Sequence, residues 1–267
     1  MVARILSAVV LVPAVLAGVY FAKPWPLLAA MGMIGSLCLH EYIGLIGGMG
    51  IRIQPAATHV VSWLLLVGLQ GKWLPIPVLI AVLLIALFLV AIRSEDPLRN
   101  RALSLMASVL GLAYPALFLY AAIAVRFDFG ERTGMRWFMI VLATTWAGDS
   151  VALFIGKRFG RTRFASMISP NKTNEGALGG LLGGIAAAVI LQICLFRELP
   201  LGHVTAVSIL VGAVGQLGDL AESMLKRAAE VKDSSHLIPG HGGILDRIDS
   251  LLFAFPVTQL YLVFLYR

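Results

Sequence analysis

Charge is scarce in this chain: only 13% of its 267 residues are Asp, Glu, Lys or Arg, about half of the roughly 25% found in an ordinary soluble domain. Too few ionised groups remain to coat a water-facing globule. Cysteine is scarcer still, and Cys38 and Cys194 both lie inside apolar runs. That placement gives no sign of a disulfide framework or a thiolate metal site. His40, His59, His203 and His236 show no metal-ligand spacing. A nucleophile elbow, a zincin helix and a P-loop are all missing.

What the chain has instead is apolar length. Hydrophobic residues make up 59% of it and the mean hydropathy is +0.90. A helix needs roughly 20 apolar residues to cross a bilayer. Nine apolar stretches stand out, at 4–22, 26–46, 57–71, 73–92, 102–126, 135–156, 176–196, 203–224 and 248–266. The 57–71 stretch is the weakest, being short and carrying His59 and Gln70. In lipid every backbone N–H and C=O must be paired within its own segment, so the runs are expected to be helices. They lack the alternation of a transmembrane barrel. The expected fold is an all-α polytopic membrane protein of about nine transmembrane helices. The first run reaches Ala22 and reads as an uncleaved first helix rather than a signal peptide.

Orientation follows from the basic residues. With a cytoplasmic N-terminus, the cytoplasmic segments hold Arg4, Arg52, Arg93, Arg99, Arg101, Lys157, Arg158, Arg161, Arg163, Lys172, Lys226, Arg227, Lys232 and Arg247. These are 14 of the 21 Lys and Arg, against 7 on the other side. The bias predicts a multi-pass protein of the cell's inner (plasma) membrane, with the N-terminus and the basic loops 157–175 and 225–247 in the cytosol. The net charge of +7 reads as attraction to anionic lipid head groups and topology control, not as nucleic-acid binding.

The two ends of the molecule differ. Residues 1–125 are apolar helices joined by short loops, with Glu41 the only acid inside a span. They read as a helical scaffold. The loop from Arg93 to Arg101 reads as a solvated turn. Residues 126–267 carry polar groups at and inside helix ends and read as the catalytic region. The run from Gly176 to Gly184 has overlapping small-xxx-small spacings, which suit close helix packing. A phosphate-cradling loop is the other reading, weakened by the absence of a P-loop lysine.

Three polar clusters stand out: Ala147-Gly148-Asp149-Ser150, the loop from Ser169 to Gly176, and the stretch from Gly218-Asp219 to Asp249. An Asp at the centre of a membrane helix costs about 2.5–3.5 kcal/mol. Asp149, Asp219 and Glu222 therefore face a wet cavity, a metal or a basic partner, a structural salt bridge included. Asp219, Ser223 and Lys226 lie four and three residues apart, on one helical face. Asp246 and Asp249 begin the last span three apart. Two helices can thus bring three carboxylates together, an oxygen-only set suited to Mg²⁺. Arg158, Arg161, Arg163, Lys172, Lys226, Arg227, Lys232 and Arg247 flank these acids in sequence. Acids, a divalent cation and a ring of Lys and Arg fit polyphosphate chemistry. His241, in the turn Pro239-Gly240-His241-Gly242-Gly243, could contact phosphate, act as an acid–base group or merely cap the turn.

The run Ser223-Met224-Leu225-Lys226-Arg227, then Lys232-Asp233, then His241-Gly242-Gly243-Ile244-Leu245-Asp246-Arg247-Ile248-Asp249 resembles the signature of the phosphatidate cytidylyltransferase (CDP-diacylglycerol synthase) family. Gly148-Asp149, Gly156-Lys157, Phe159-Gly160 and Ser169-Pro170…Lys172-Thr173…Glu175-Gly176 resemble further blocks. The resemblance covers about 140–255, with departures at Asn171, where Lys or Arg is common, and Asn174, where Trp is frequent. It implies that CTP and phosphatidate give CDP-diacylglycerol and pyrophosphate. It further implies Mg²⁺, a monovalent cation such as K⁺ beside it, and a homodimer with a cavity open to the bilayer, residues 1–125 being the scaffold of both. By the same resemblance Asp219, Asp246, Asp249 and Lys226 are catalytic, with Asp219 and Asp246 as metal ligands. Lys172, Ser223, Arg227, Lys232, His241, Arg247 and Asp149 are then substrate-binding.

Two rivals remain. A related CTP-dependent lipid enzyme, of the CDP-archaeol synthase or polyprenol kinase type, would differ chiefly in the acceptor lipid. An ion-coupled transporter would also carry intramembrane acids, but nearer the bilayer midplane than these helix-end clusters.

Overall fold

Proline opens three successive helices. Pro24 begins α1 (Pro24–Gly48), Pro55 begins α2 (Pro55–Gly71), and Pro77 lies in the first turn of α3 (Ile76–Arg93). At those positions the missing N–H has no intrahelical partner to lose, and the fixed φ already suits the helix. The computed structural model describes residues 13, 15–238 and 242–266. Most of the first apolar stretch therefore lies outside the described residues.

Next comes α4 (Leu98–Gly111), which passes through a π-helical segment, Leu112–Leu117, into α5 (Phe118–Phe127). Pro115 sits in that widened segment, where a residue that cannot donate a backbone hydrogen bond is accommodated. The remaining helices are α6 (Glu131–Phe159), α7 (Asn174–Leu195), α8 (Leu201–Ala228) and α9 (Leu245–Leu265). Outside the helices, the described residues form only two isolated β-bridges, Arg163 with Thr173 and Ile238 with Gly242. The Arg93–Arg101 segment is not wholly a loop, because α4 begins at Leu98 and Arg101 Nε donates back to Asp96 O at 2.6 Å.

Among the described residues, seven helices are long and apolar enough to cross a membrane, the α4–α5 run counting as one. The expected count of about nine also included the first apolar stretch and the weak 57–71 stretch. The latter is helical but only 17 residues long. The chain is an all-α, multi-pass membrane protein.

The described chain forms two compact units. One comprises Ala22–Tyr120 with Leu225–Arg247, and the other is built mainly from Ala121–Met224 and the chain from Ile248 onward. In the first unit Val61, Leu65 and Leu69 of α2 pack with Leu79, Leu83 and Leu87 of α3 and with Leu112 and Ala116. The four-residue spacing puts each set on one helical face. The other face of α3 exposes Val82, Ile85, Phe88, Leu89 and Ile92, as a helix apolar all round does when lipid is its solvent.

In the second unit α6 and α7 approach at main-chain distance. Gly176, Gly180, Gly184 and Ala188 form the buried stripe of α7. A Cβ on Gly180 would lie 2.9 Å from Gly148 O, and one on Gly184 2.6 Å from Thr144 O. Glycine lets the two backbones meet where any side chain would separate them. The packing reading of this glycine run holds.

Candidate active site

The loop between α6 and α7 is tied to the start of α7. Thr173 caps that helix, its Oγ1 accepting from Gly176 N at 3.1 Å, the usual role of a threonine at this position. Glu175 in the first turn accepts from Arg161 N at 3.1 Å and Thr162 N at 3.2 Å. Asn174 N donates to Thr162 O at 2.8 Å. These bonds fix the backbone on both sides of Lys172. Its ammonium then stands 2.8 Å from Asp219 Oδ2 on α8. Ser223, one turn further along α8, donates to Asp219 Oδ1 at 3.3 Å. The Asp219–Ser223 part of the predicted helical face is therefore formed, and Lys172 joins it. The Asp219 side chain remains 37% exposed, leaving its carboxylate within reach of a ligand.

Asp249 belongs to the same unit. A Cβ on Gly218 would meet Asp249 O at 2.6 Å, so α8 and α9 touch backbone to backbone there. Asp249 Oδ1 accepts from Ser250 N at 2.6 Å. Asp149, on α6, is exposed, and Glu222 is wholly buried.

The other unit carries the second cluster. Lys226 Nζ reaches Asp246 Oδ1 at 2.5 Å, with both side chains largely buried. Asp246 Oδ2 accepts from Ser234 N at 2.9 Å, Ser234 Oγ at 2.8 Å and Gly243 N at 2.8 Å. Behind it stands Glu41 of α1, 4% exposed. Its carboxylate accepts from Ser235 Oγ, Ile244 N and Leu245 N at 2.6–2.9 Å and shares the Ser234 hydroxyl, 3.0 Å away, with Asp246. Arg227, Lys232 and Arg247 are exposed, and Arg227 Nη1 donates to Val231 O at 3.1 Å. His241 lies outside the described residues.

Glu41, Ser234 and Ser235 escape the sequence reading. Glu41 did carry a signal, since an acid inside a span costs as much in the N-terminal half as in the C-terminal half. Its partners, however, lie about 200 residues away along the chain.

Among the described residues, no three His, Cys, Asp or Glu side chains form a group that could hold a metal ion. The donor set suits an ion that keeps its waters and shares one or two carboxylates with substrate phosphates, as Mg²⁺ does. Each unit offers one such carboxylate, Asp219 or Asp246, already holding the ammonium of a lysine. A carboxylate placed to hold one cation fits the replacement of that cation by another.

The Cytidylyltransferase family model matches residues 2–265. Phosphatidate cytidylyltransferase of Bacillus subtilis (strain 168) is 41% identical over 126 residues, 47% of each chain. The protein of that name from Thermotoga maritima is 39% identical over 160 residues, 58% of this chain and 57% of its own. That from Staphylococcus aureus (strain COL) is 32% identical over 221 residues, 82% of this chain and 79% of its own. For the first of these the match spans about half the relative's length. A match to the family over nearly every residue, in a polytopic helical membrane protein with lysine–carboxylate pairs, means that this chain belongs to the cytidylyltransferase family.

Proposed function

We propose that the protein is a CTP:phosphatidate cytidylyltransferase, making CDP-diacylglycerol and pyrophosphate. The observation that carries this reading is the pairing of Lys172 with Asp219 and of Lys226 with Asp246, in a chain of this family. A lysine offsets phosphate charge, and a carboxylate beside it suits a phosphate-bound dication. The phosphate of phosphatidate is ionised at neutral pH and needs no strong general base. One of its oxygens bonds to the α-phosphorus of CTP, the bond from that phosphorus to the α–β bridging oxygen breaks, and pyrophosphate leaves with the electron pair.

In this reading Lys172 and Lys226 give up their carboxylate partners to the phosphates of the bound substrates. Asp219 and Asp246 would each serve as a carboxylate ligand for Mg²⁺, with a monovalent cation such as K⁺ as a further part of the proposal. When bound, Mg²⁺ would supply charge neutralisation for the triphosphate and the leaving pyrophosphate. Ser223 holds the Asp219 carboxylate in orientation. Arg227, Lys232 and Arg247, being exposed, can draw soluble nucleotide toward the membrane surface. A cytoplasmic N-terminus, supported by the bias of basic residues, and a homodimer belong to the same proposal.

The test is direct. Purified protein with phosphatidate, labelled CTP and Mg²⁺ is assayed for liponucleotide and pyrophosphate. One pyrophosphate per CDP-diacylglycerol supports the reading. Absence of both products from folded protein contradicts it.

A further inference from the structure

We infer that Glu41 is a positioning residue for the cytidylyl transfer, an inference that rests on the function proposed above. Its buried carboxylate ties the loop carrying Ser234 and Ser235 to the start of α9, and so fixes where Asp246 and Lys226 stand.

The geometry is specific. Glu41 Oε1 accepts from Ser235 Oγ at 2.6 Å and Ile244 N at 2.9 Å. Oε2 accepts from Ser234 Oγ at 3.0 Å and Leu245 N at 2.8 Å. Three donors, and a fourth shared with Asp246, face the four acceptor positions of one carboxylate. The same Ser234 hydroxyl lies 2.8 Å from Asp246 Oδ2. It has a single proton and donates to one carboxylate at a time, so the two acids are coupled through it. Asp246 also receives Ser234 N and Gly243 N, and its other oxygen holds Lys226. Gly243 leaves no room for error, because a Cβ there would run into both Ser234 Oγ and Glu41 Oε2.

A glutamine at position 41 cannot reproduce this set. A serine hydroxyl can turn to accept from the new amide NH₂, but a backbone N–H cannot. Either orientation of the amide sets its NH₂ against Ile244 N–H or Leu245 N–H. An aspartate keeps the charge but is one methylene shorter.

The test uses the full chain in detergent or nanodiscs with Glu41→Gln, Glu41→Asp and Ser234→Ala. Three quantities are read: kcat with both KM values, amide exchange at Ile244 and Leu245, and melting temperature. Glu41→Gln is expected to lower kcat at least tenfold per folded molecule while both KM values stay within twofold. Exchange at Ile244 and Leu245 should rise at least tenfold. Glu41→Asp should recover part of the kcat. A purely structural residue would lower the melting temperature and the folded yield and leave kcat of the folded fraction unchanged. That result, or unaltered exchange, overturns the inference. If Glu41→Gln does not fold, Ser234→Ala decides, because it removes the hydroxyl between the two acids. The same loss confined to kcat is then expected, and kcat within twofold of the parent overturns the positioning role. An inactive parent protein contradicts the proposed function itself and this inference with it. An active parent with an undiminished Glu41→Gln removes only the role of Glu41.

Discussion

Lys172 Nζ lies 2.8 Å from Asp219 Oδ2, so the basic loop after α6 and the acid in α8 form a single polar unit. Under the proposed function Lys172 has two partners to serve, a carboxylate in the resting protein and a phosphate when nucleotide binds. Charge-assisted contacts to phosphate contribute about 1.5–3 kcal/mol. Lys172→Ala should therefore lower kcat/KM for CTP by about tenfold to a hundredfold and leave the KM for phosphatidate nearly unmoved. Steady-state kinetics with each substrate varied in turn checks this. A raised KM for phosphatidate with unchanged CTP parameters would assign the loop to the lipid.

The two proposed metal carboxylates differ in burial, and their variants should differ accordingly. Asp219→Asn and Asp246→Asn are both expected to abolish turnover in protein that still inserts. Asp219 is 37% exposed, so its loss should change thermal stability little. Asp246 is 5% exposed and pairs with Lys226, whose side chain is 11% exposed. Removing one partner of a buried pair costs about 3–5 kcal/mol. The melting temperature of Asp246→Asn should therefore fall well below that of Asp219→Asn. Near-normal activity in either variant at saturating Mg²⁺ would sink the metal assignment.

Helix packing gives a prediction independent of chemistry. Gly184 faces Thr144 O, where a Cβ would come within 2.6 Å. Gly184→Ala must push α7 off α6, and overpacking of this kind costs about 1–3 kcal/mol. Gly202, whose Cβ would meet nothing within 4 Å, is the control. Thermal unfolding in detergent should separate Gly184→Ala from Gly202→Ala, and equal melting temperatures would contradict the close approach.

Hydropathy located the helices but not their ends. The run 135–156 became Glu131–Phe159, and 248–266 became Leu245–Leu265. A helix continues as long as its backbone hydrogen bonds do, past the last residue that lipid requires to be apolar. Helical spacing was enough to pair Asp219 with Ser223, because that contact lies within one helix. Lys172 on Asp219 and Glu41 on Ser234 join residues from distant segments, and no local periodicity encodes them. The π-helical segment around Pro115 was equally hidden, since its apolar residues match those of an ordinary span.

Topology is testable at Lys172. In a background lacking Cys38, which is buried, and Cys194, which is exposed, Lys172→Cys should react with an impermeant thiol reagent only from the cytosolic side. Labelling from outside intact cells would reverse the orientation and separate the loop from the cell's CTP.

The fate of individual phosphorus atoms tests the central claim most directly. Purified protein is given phosphatidate, Mg²⁺ and CTP labelled either at the α- or at the γ-phosphorus. A cytidylyl transfer predicts that the α label enters the lipid product and the γ label leaves in pyrophosphate. Transfer of the γ label to lipid with release of CDP would mean a CTP-dependent kinase. Folded protein that transfers neither label would contradict the account.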